Sequence, residues 1–227
     1  MPAIPCEAMP EKTKVLIVDD HPLMRRGLTA LIDSEIDLVV CAEAGNRHAA
    51  LEAVARRPPD LAIVDLSLEG GEDGLDVVKT LKVRSPSIPA LVLSMHPEAH
   101  YGERALRAGA RGYVGKHQPG DAVLAAIRRV LAGHIYISEA LGMELASRFV
   151  GGDRKPGPLI ASLSDRELQV FRLIGEGRRT REIALILSLS PKTIESYRDH
   201  LKRKLDIDGS PELVRRAVRF VETGELS

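Results

Sequence analysis

Near the N-terminus the chain reads Lys14-Val-Leu-Ile-Val-Asp-Asp-His-Pro22, a short apolar run that ends on two adjacent carboxylates. Its continuous branched side chains are typical of a parallel strand that is covered on both faces. Four more such runs follow, at 38–40, 61–64, 90–93 and 112–114, and stretches with the spacing of amphipathic helices separate them. We therefore expect an α/β domain, a doubly wound five-stranded parallel sheet with helices on both faces.

The alternation of strands and helices stops after Gly133, which indicates more than one domain. Residues 151–158 combine glycine, proline and charge, as linkers do. Beyond them the pattern is helical throughout. The sequence predicts an N-terminal extension (1–12), a sheet domain (13–132), a linker with a short helix (133–158) and an all-α domain (159–227).

The overall composition excludes several classes of protein. Of the 227 residues, 44% are hydrophobic and 28% are charged, which is ordinary for a globular protein and argues against wholesale disorder. No apolar run approaches the ~20 residues that span a bilayer, and the two cysteines cannot build a disulfide framework. We expect a cytoplasmic protein without a membrane partner. The net charge is zero, but residues 163–205 hold 10 Lys and Arg against 6 Asp and Glu, which leaves a nucleic-acid partner open.

Polar side chains stand at the ends of four predicted strands. Asp19 and Asp20 end the first and Asp65 ends the third, while Ser94 ends the fourth and Lys116 follows the fifth. The carboxyl ends of parallel strands meet at one edge of the sheet, so these groups should converge there. Three carboxylates repel one another unless a cation neutralises them, and Mg²⁺ prefers oxygen ligands. The set suits phosphoryl transfer to Asp65, with Lys116 and Ser94 binding the remaining oxygens.

These residues have two other interpretations. A single Asp at a strand end is more often a helix cap than a catalyst, but five such polar residues at the ends of four strands favour a functional site. The cluster could also belong to a Mg²⁺-dependent phosphatase. Such enzymes normally need a second acid two positions after the nucleophile, where this chain has Ser67, and this disfavours an enzyme.

The first half of the chain resembles the receiver domain of response regulators, which has a flavodoxin-like fold. The matching stretches are Lys14–Pro22, Val64-Asp-Leu66, Ser94 and Gly109-Ala-Arg-Gly-Tyr-Val-Gly-Lys116. The resemblance implies that Asp65 accepts a phosphoryl group from a histidine kinase. It also implies that Mg²⁺ is held by Asp19, Asp20, Asp65 and the main-chain carbonyl of Ser67. Ser94 and Tyr113 match the switch positions, where the hydroxyl turns toward the phosphoryl group and the aromatic ring swings inward.

One segment departs from the receiver pattern. Receivers usually carry a proline four residues after the acceptor, whereas this chain has Glu69-Gly-Gly-Glu-Asp-Gly74, without proline and with about one extra residue. The added acidic charge beside the site could alter metal affinity or dephosphorylation. An alternative function therefore stays open: a DNA-binding transcription regulator whose receiver is not controlled by phosphorylation.

The all-α domain shows clear helix starts. Ser164-Asp-Arg-Glu167 is a capping box, Ser190 and Ser210 each precede a proline as N-caps, and Thr180 caps a short helix. Four helices in about 65 residues make a compact bundle. A tight turn joins its second and third helices, as in a helix-turn-helix.

The third of these helices has one apolar stripe and one polar face. The stripe comprises Ile194, Tyr197, Leu201 and Leu205. The polar face could enter a DNA major groove, with Lys192, Thr193, Arg198 and Lys202 suited to phosphates and Glu195, Ser196 and Asp199 to base edges. An alternative is a small helical docking module whose charged face is merely solvated. Charge alone does not distinguish this alternative from DNA binding.

The spacing across all four helices resembles the LuxR-type helix-turn-helix of the NarL/FixJ subfamily of response regulators, from about Leu159 to Val221. The resemblance implies that the third helix recognises double-stranded DNA and that the last helix supports a homodimer. Together the two resemblances imply a two-component transcription regulator in which phosphorylation at Asp65 controls dimerisation and DNA binding. RNA polymerase is a candidate partner.

Overall fold

The structure, a computed structural model, describes residues 11–68, 71–150 and 159–224. A five-stranded sheet domain is followed by a helix and then by a four-helix domain. Most of the predicted N-terminal extension, the glycine- and proline-rich part of the predicted linker and two residues of the atypical loop, Glu69 and Gly70, lie outside the described residues.

All five predicted strands are present, several of them longer than expected. They are β1 (Thr13–Val18), β2 (Leu38–Ala44), β3 (Leu61–Val64), β4 (Ala90–Ser94) and β5 (Gly112–Gly115). Every pairing is parallel, and the strand order is β2-β1-β3-β4-β5. The order reverses direction between β1 and β3, so the loops after these two strands diverge and open a crevice at their carboxyl ends.

The helices also follow the predicted alternation. The first five are α1 (Pro22–Asp33), α2 (Arg47–Arg56), α3 (Gly74–Arg84), α4 (Glu98–Ala108) and α5 (Gly120–Leu131), and α6 (Glu139–Val150) follows them. Local chemistry fixes their ends. The Asn46 side chain caps α2, the Asp73 side chain caps α3, and Gly109 ends α4 in the left-handed conformation at φ +117°.

Two layers of core lie on the two faces of the sheet. On one face α1 and α5 bury side chains such as Ile32 and Ile127 against the sheet. On the other, α2, α3 and α4 bury side chains such as Val54, Leu81 and Ala105. Both faces are thus covered, which explains why the strand sequences are almost continuously apolar.

The C-terminal domain comprises a short 3₁₀ helix (Leu159–Ser162), α7 (Asp165–Gly175), α8 (Thr180–Ile186), α9 (Pro191–Lys204) and α10 (Ser210–Thr223). The capping box at Ser164 and Glu167 and the Ser190 cap are confirmed. The predicted caps Ser210 and Thr180 are wrong by one residue, because Gly209, at φ +89°, and the extended Arg179 occupy the cap positions and the two hydroxyl residues begin the helices.

One buried charge ties this domain together. Glu167 is 4% exposed, and its carboxylate accepts hydrogen bonds from Ser164 N at 2.7 Å and from Lys204 Nζ at 2.6 Å. The start of α7 is therefore fixed to the end of α9. Within the part of the chain that the structure describes, no helix has both the length and the apolar character needed to cross a membrane.

Candidate functional site

The carboxyl edge of the sheet brings the predicted charged residues into direct contact. Lys116 Nζ lies 2.6 Å from Asp19 Oδ2 and 2.7 Å from Asp65 Oδ2. All three side chains are nearly inaccessible, with 3–4% of their surface exposed. One ammonium therefore serves two carboxylates, which leaves the cluster with excess negative charge.

The carboxylates form a cluster that fits a small divalent cation. Single ligand atoms of Asp19, Asp20, Asp65 and His21 all lie within 4.8 Å of one another. Asp65 Oδ1 is buried without a hydrogen-bond partner among the described residues, and Asp20 Oδ1 lies 2.6 Å from His21 Nδ1 without making a hydrogen bond. Buried oxygens of this kind are costly unless a ligand satisfies them.

Burial and charge act against each other at this edge. Burial raises the pKa of Asp65, while the hydrogen bond from Lys116 opposes that rise without cancelling it. For Lys116 burial lowers the pKa, but hydrogen bonds to Asp19 and Asp65 outweigh it, so the pKa lies above its ordinary value. Lys116 is therefore charged at neutral pH and has a further N–H available for an incoming oxygen.

His96, which the sequence analysis did not single out, links the remaining residues of the site. Its main-chain N–H donates to Ser94 Oγ at 3.2 Å, and its carbonyl accepts from Tyr113 Oη at 2.7 Å. Its ring nitrogen Nε2 lies 2.9 Å from Ser67 Oγ, and the ring stacks on Tyr101 at 4.7 Å. Burial, together with the charges of Arg172 and Lys116, lowers its pKa to about 3. The imidazole is therefore neutral.

The two predicted switch residues, Ser94 and Tyr113, are both hydrogen-bonded to the main chain of His96. Tyr113 is 2% exposed, so its ring already lies inward, and Ser94 is 1% exposed at the end of β4. Burial raises the pKa of Tyr113, which keeps its hydroxyl a donor.

Two residues of the site, His21 and His96, were not predicted from the sequence. Their positions could have identified them, because His21 directly follows the acidic pair and His96 stands two positions after Ser94.

The predicted reading face of α9 is a second candidate site. Lys192, Glu195, Ser196 and Asp199 are exposed, Thr193 and Lys202 are partly exposed, and Arg198 is mostly covered, with 13% of its side chain exposed. Ile194 and Leu201 are buried on the opposite face, whereas Tyr197, predicted on the same stripe, is only half-buried. The helix therefore packs its apolar face against the domain and presents its polar face to solvent, as the periodicity predicts.

The acidic residues on this face have local partners. Glu195 accepts a hydrogen bond from Thr180 Oγ1 on α8 at 2.7 Å and lies 3.8 Å from Arg198 Nε. Asp199 pairs with Lys202 at 2.8 Å, and that hydrogen bond lowers the Asp199 pKa. The acids are thus locally neutralised, which weakens the repulsion that a phosphate backbone would meet.

Comparison with known protein families gives one match in each half of the chain. Residues 15–128 match the family described as response regulator receiver domain. Residues 161–217 match the family described as bacterial regulatory proteins, luxR family.

Two relatives align with the chain over nearly their whole length. The chain is 37% identical over 204 residues to the transcriptional activator protein ExaE of Pseudomonas putida, covering 90% of this chain and 95% of ExaE. It is 34% identical over 210 residues to the oxygen regulatory protein NreC of Staphylococcus haemolyticus (strain JCSC1435), covering 91% and 97%.

The fold matches a solved regulator bound to DNA. RcsB from Salmonella enterica serovar Typhimurium, bound to promoter rprA in the presence of the phosphomimetic BeF₃⁻, aligns with a TM-score of 0.64 at 26% identity, covering 90% of this chain and 98% of RcsB. These relatives are regulators rather than phosphatases. The chain belongs to the NarL/FixJ-type response regulators, transcription regulators of two-component systems that join a receiver domain to a LuxR-type DNA-binding domain.

Proposed function

We propose that Asp65 accepts a phosphoryl group from a histidine kinase and that this event controls dimerisation and DNA binding. One observation carries the proposal: the two oxygens of Asp65 differ in their surroundings. Oδ2 is fixed by Lys116 at 2.7 Å, whereas Oδ1 is buried without a hydrogen-bond partner in the described ranges. A carboxylate held by one oxygen, with a lone pair on the other still available, is oriented for nucleophilic attack.

The residues at this edge fit a magnesium ion. Asp19, Asp20, Asp65 and the main-chain carbonyl of Ser67 would hold it, because these are oxygen donors and two of the carboxylate oxygens have no hydrogen-bond partner among the described residues. A divalent ion at this place would supply positive charge for the phosphoryl oxygens. His21 lies in the same cluster, but its ring is 68% exposed and magnesium does not prefer nitrogen, so it is not assigned as a ligand.

The chemistry uses groups that are already in position. Asp65 Oδ1 attacks the phosphorus of a phosphohistidine, a new O–P bond forms, the P–N bond breaks, and the kinase imidazole leaves and takes a proton from solvent. Lys116 donates to an equatorial oxygen and lowers the charge that builds up in the transition state. Ser94 Oγ, at the end of β4, donates to another oxygen once its hydroxyl turns.

The C-terminal domain binds DNA. Lys192, Thr193, Arg198 and Lys202 contact phosphates, and Glu195, Ser196 and Asp199 face base edges when α9 lies in the major groove. Support for a dimer comes from α10, where Val214 is 38% exposed and Val221 is 42% exposed, with half-buried Val218 between them on the same face. A dimer places two α9 helices about one turn of DNA apart, and RNA polymerase is a candidate partner on the bound promoter.

The first test is the intact mass of the protein after incubation with a small phosphodonor and Mg²⁺. The wild type is expected to gain one acid-stable, base-labile phosphoryl group, and Asp65→Asn is expected to gain none. Asp121→Asn is a matched control, because Asp121 is an exposed acid at the start of α5. A wild type that stays unmodified while it still binds Mg²⁺ would contradict the proposal and favour a regulator controlled by something other than phosphate.

A further inference from the structure

Asp19, which follows β1 directly, is fixed by contacts at its main chain and at its side chain. Its N–H donates to Ala44 O at 3.0 Å. Its Oδ1 accepts from the main-chain N–H of His21 at 2.8 Å, and its Oδ2 lies 2.6 Å from Lys116 Nζ. Only 3% of its side chain is exposed. The sheet and these neighbours therefore set the position of this carboxylate without any metal ion.

Asp20, the next residue, lacks comparable support for its side chain. Its Oδ1 accepts no hydrogen bond from the described residues and lies 2.6 Å from Nδ1 of the exposed His21 ring. The orientation of Asp20 therefore depends on its main chain, and first on the peptide bond that joins it to Asp19. Because a peptide unit is planar, the direction of the Asp19 carbonyl also sets the direction of the Asp20 N–H. A group that holds this carbonyl consequently orients Asp20.

Arg25, on α1, binds this carbonyl. Its Nη1 donates to Asp19 O at 2.7 Å, and 20% of its side chain is exposed, so the contact is largely shielded from water. A hydrogen bond from a charged donor is roughly twice as strong as one between neutral groups. One side chain of α1 is thus attached to the peptide bond between the two acids of the proposed metal site.

The Arg25 guanidinium is itself held in place. Its Nε donates to Glu43 Oε2 on β2 at 3.1 Å, and Glu43 Oε1 accepts from Thr29 Oγ1 at 3.0 Å. Arg25 and Thr29 are four residues apart on α1, so both side chains reach the same strand. A Cβ on Gly45 would lie 3.7 Å from Arg25 Nη1, so the backbone after β2 lies beside the guanidinium. The planar group therefore meets β1, β2 and α1 in one fixed orientation.

We propose that Arg25 is a positioning residue for magnesium, which orients Asp20 as a ligand through the Asp19 carbonyl. Glu43 and Thr29 hold the guanidinium in the direction that this contact needs. The inference rests on the magnesium site of the proposed function. Arg25 is not itself a ligand, because a guanidinium has no lone pair to offer. Residues that orient metal ligands in this way commonly change metal affinity by about 10- to 100-fold when they are replaced.

Charge and positioning predict opposite effects when Arg25 is removed. A guanidinium bound to the main chain of Asp19 repels a divalent cation nearby, so its loss would by charge alone strengthen magnesium binding. If Arg25 orients Asp20, its loss weakens magnesium binding instead. A purely structural role would lower the stability of the chain and leave the affinity of the folded protein unchanged. The sign of the change in affinity therefore separates the three roles.

The test titrates the full chain with Mg²⁺ alone, without a phosphodonor, and follows the backbone amides by NMR. Urea denaturation in the presence of a chelator shows that each variant is folded. Arg25→Met keeps an apolar stem and loses the guanidinium. It is expected to bind Mg²⁺ about 10-fold more weakly than the wild type. Before Mg²⁺ is added, the amide resonance of Asp20 should already be shifted, because its peptide bond has lost the hydrogen bond from Arg25.

A second variant and a control separate positioning from charge. Thr29→Val is nearly isosteric and leaves every charge in place, but it removes the hydrogen bond to Glu43. Its magnesium affinity should fall by about 2- to 3-fold, the effect of one neutral hydrogen bond. The matched control is Arg26→Met, which removes the same charge from the neighbouring, exposed arginine of α1. This control should bind Mg²⁺ as tightly as the wild type or slightly more tightly.

The remaining outcomes overturn either this role or the metal site on which it rests. Unchanged or tighter binding in Arg25→Met overturns the positioning role, and so does an equal loss in Arg26→Met or an unshifted Asp20 resonance. Should Arg25→Met not fold, unchanged affinity in Thr29→Val overturns it. If the wild type binds no Mg²⁺, or Asp20→Asn binds it as tightly as the wild type, the magnesium site of the proposed function is contradicted instead.

Discussion

The Asp65 edge of the sheet and the reading face of α9 use the same residue types in opposite surroundings. At the sheet edge Asp19, Asp65 and Lys116 are nearly inaccessible and contact one another. On α9, Glu195 and Asp199 are 58% and 66% exposed, and each has a local partner that water also reaches. The first set is held by the fold, whereas the second is held only by its own helix and α8.

The energetic consequence of a charge depends on whether it is buried or exposed. In a buried cluster the removal of one partner leaves another charge without solvent, which costs several kcal/mol. On an exposed face the same pair contributes little to stability, since water and salt screen it. We therefore expect substitutions at the sheet edge to act on folding as well as function, and substitutions on α9 to act on DNA binding alone.

The largest expected effect comes from Lys116→Met. The change leaves Asp19 and Asp65 buried without their shared cation, and the free energy of unfolding should fall by about 3–5 kcal/mol at pH 7.5 without metal. Urea denaturation in the presence of a chelator measures it. Adding Mg²⁺ should restore part of the loss, because a divalent ion replaces the missing charge. A loss below about 1 kcal/mol would remove the contrast between the two regions.

The sheet edge could be predicted because topology alone places its residues. Short apolar runs fix the strands, parallel pairing brings their carboxyl ends together, and Asp19, Asp65 and Lys116 follow as neighbours. Their mutual contacts are confirmed. The role of His96 was not predictable from these rules, since its contacts with Ser67 and Tyr101 join a strand end to a loop and to α4, and no local periodicity encodes such a contact.

The contact between the domains was equally beyond the sequence rules. It includes a hydrogen bond from Arg166 to the main-chain carbonyl of Gly71, 95 positions away, and the acceptor loop shows only that it departs from the usual pattern. The helix starts predicted at Ser210 and Thr180 differ from the structure by one residue each, because two neighbouring residues can both support a cap and packing chooses between them.

The next effect in size is expected on α9, at Asp199. Asp199→Ala removes an acceptor suited to cytosine N4, so discrimination at one base pair should fall by about 1–3 kcal/mol. Overall affinity for DNA should rise, because Lys202 loses its partner and can contact phosphate. Selection from randomised duplexes, followed by affinity measurements, gives both quantities. Asp208→Ala, an exposed acid beyond the end of α9, is the control. An unchanged base preference would show that Asp199 does not face the bases.

Asp73, between the two domains, should give an intermediate and pH-dependent effect. Burial raises its pKa to about 6, although a hydrogen bond from Leu75 N opposes the rise. Because the folded pKa lies above the unfolded value, the stability that protonation of Asp73 supplies is complete below pH ~4 and is lost as the pH rises through 6. Asp73→Asn keeps a capping oxygen without titrating. It should match the wild type near pH ~3.5 and exceed it by about 1–2 kcal/mol at pH 7.5.

Urea denaturation at several pH values checks this effect. Asp121→Asn is a matched control, because Asp121 is an exposed acid in the first turn of another helix, α5. Parallel pH profiles for the wild type and Asp73→Asn would contradict the assignment of a raised pKa to Asp73. If the stability advantage of Asp73→Asn over the wild type grew toward low pH, the pKa of Asp73 would be lowered rather than raised.

The smallest effect on stability is expected from Lys192→Ala, which tests the exposed end of the comparison. Lys192 is exposed in the first turn of α9, so its loss should change the free energy of unfolding by less than about 0.5 kcal/mol. If it contacts a phosphate, affinity should fall for all DNA sequences alike, and the slope of log K against log salt should become shallower by about 0.9, the release of one counterion. Arg84→Ala, an exposed arginine at the end of α3, should leave that slope unchanged. A shift in base preference with an unchanged slope would instead place Lys192 at a base edge, and the two exposed charges on α9, Lys192 and Asp199, would then share the reading of sequence.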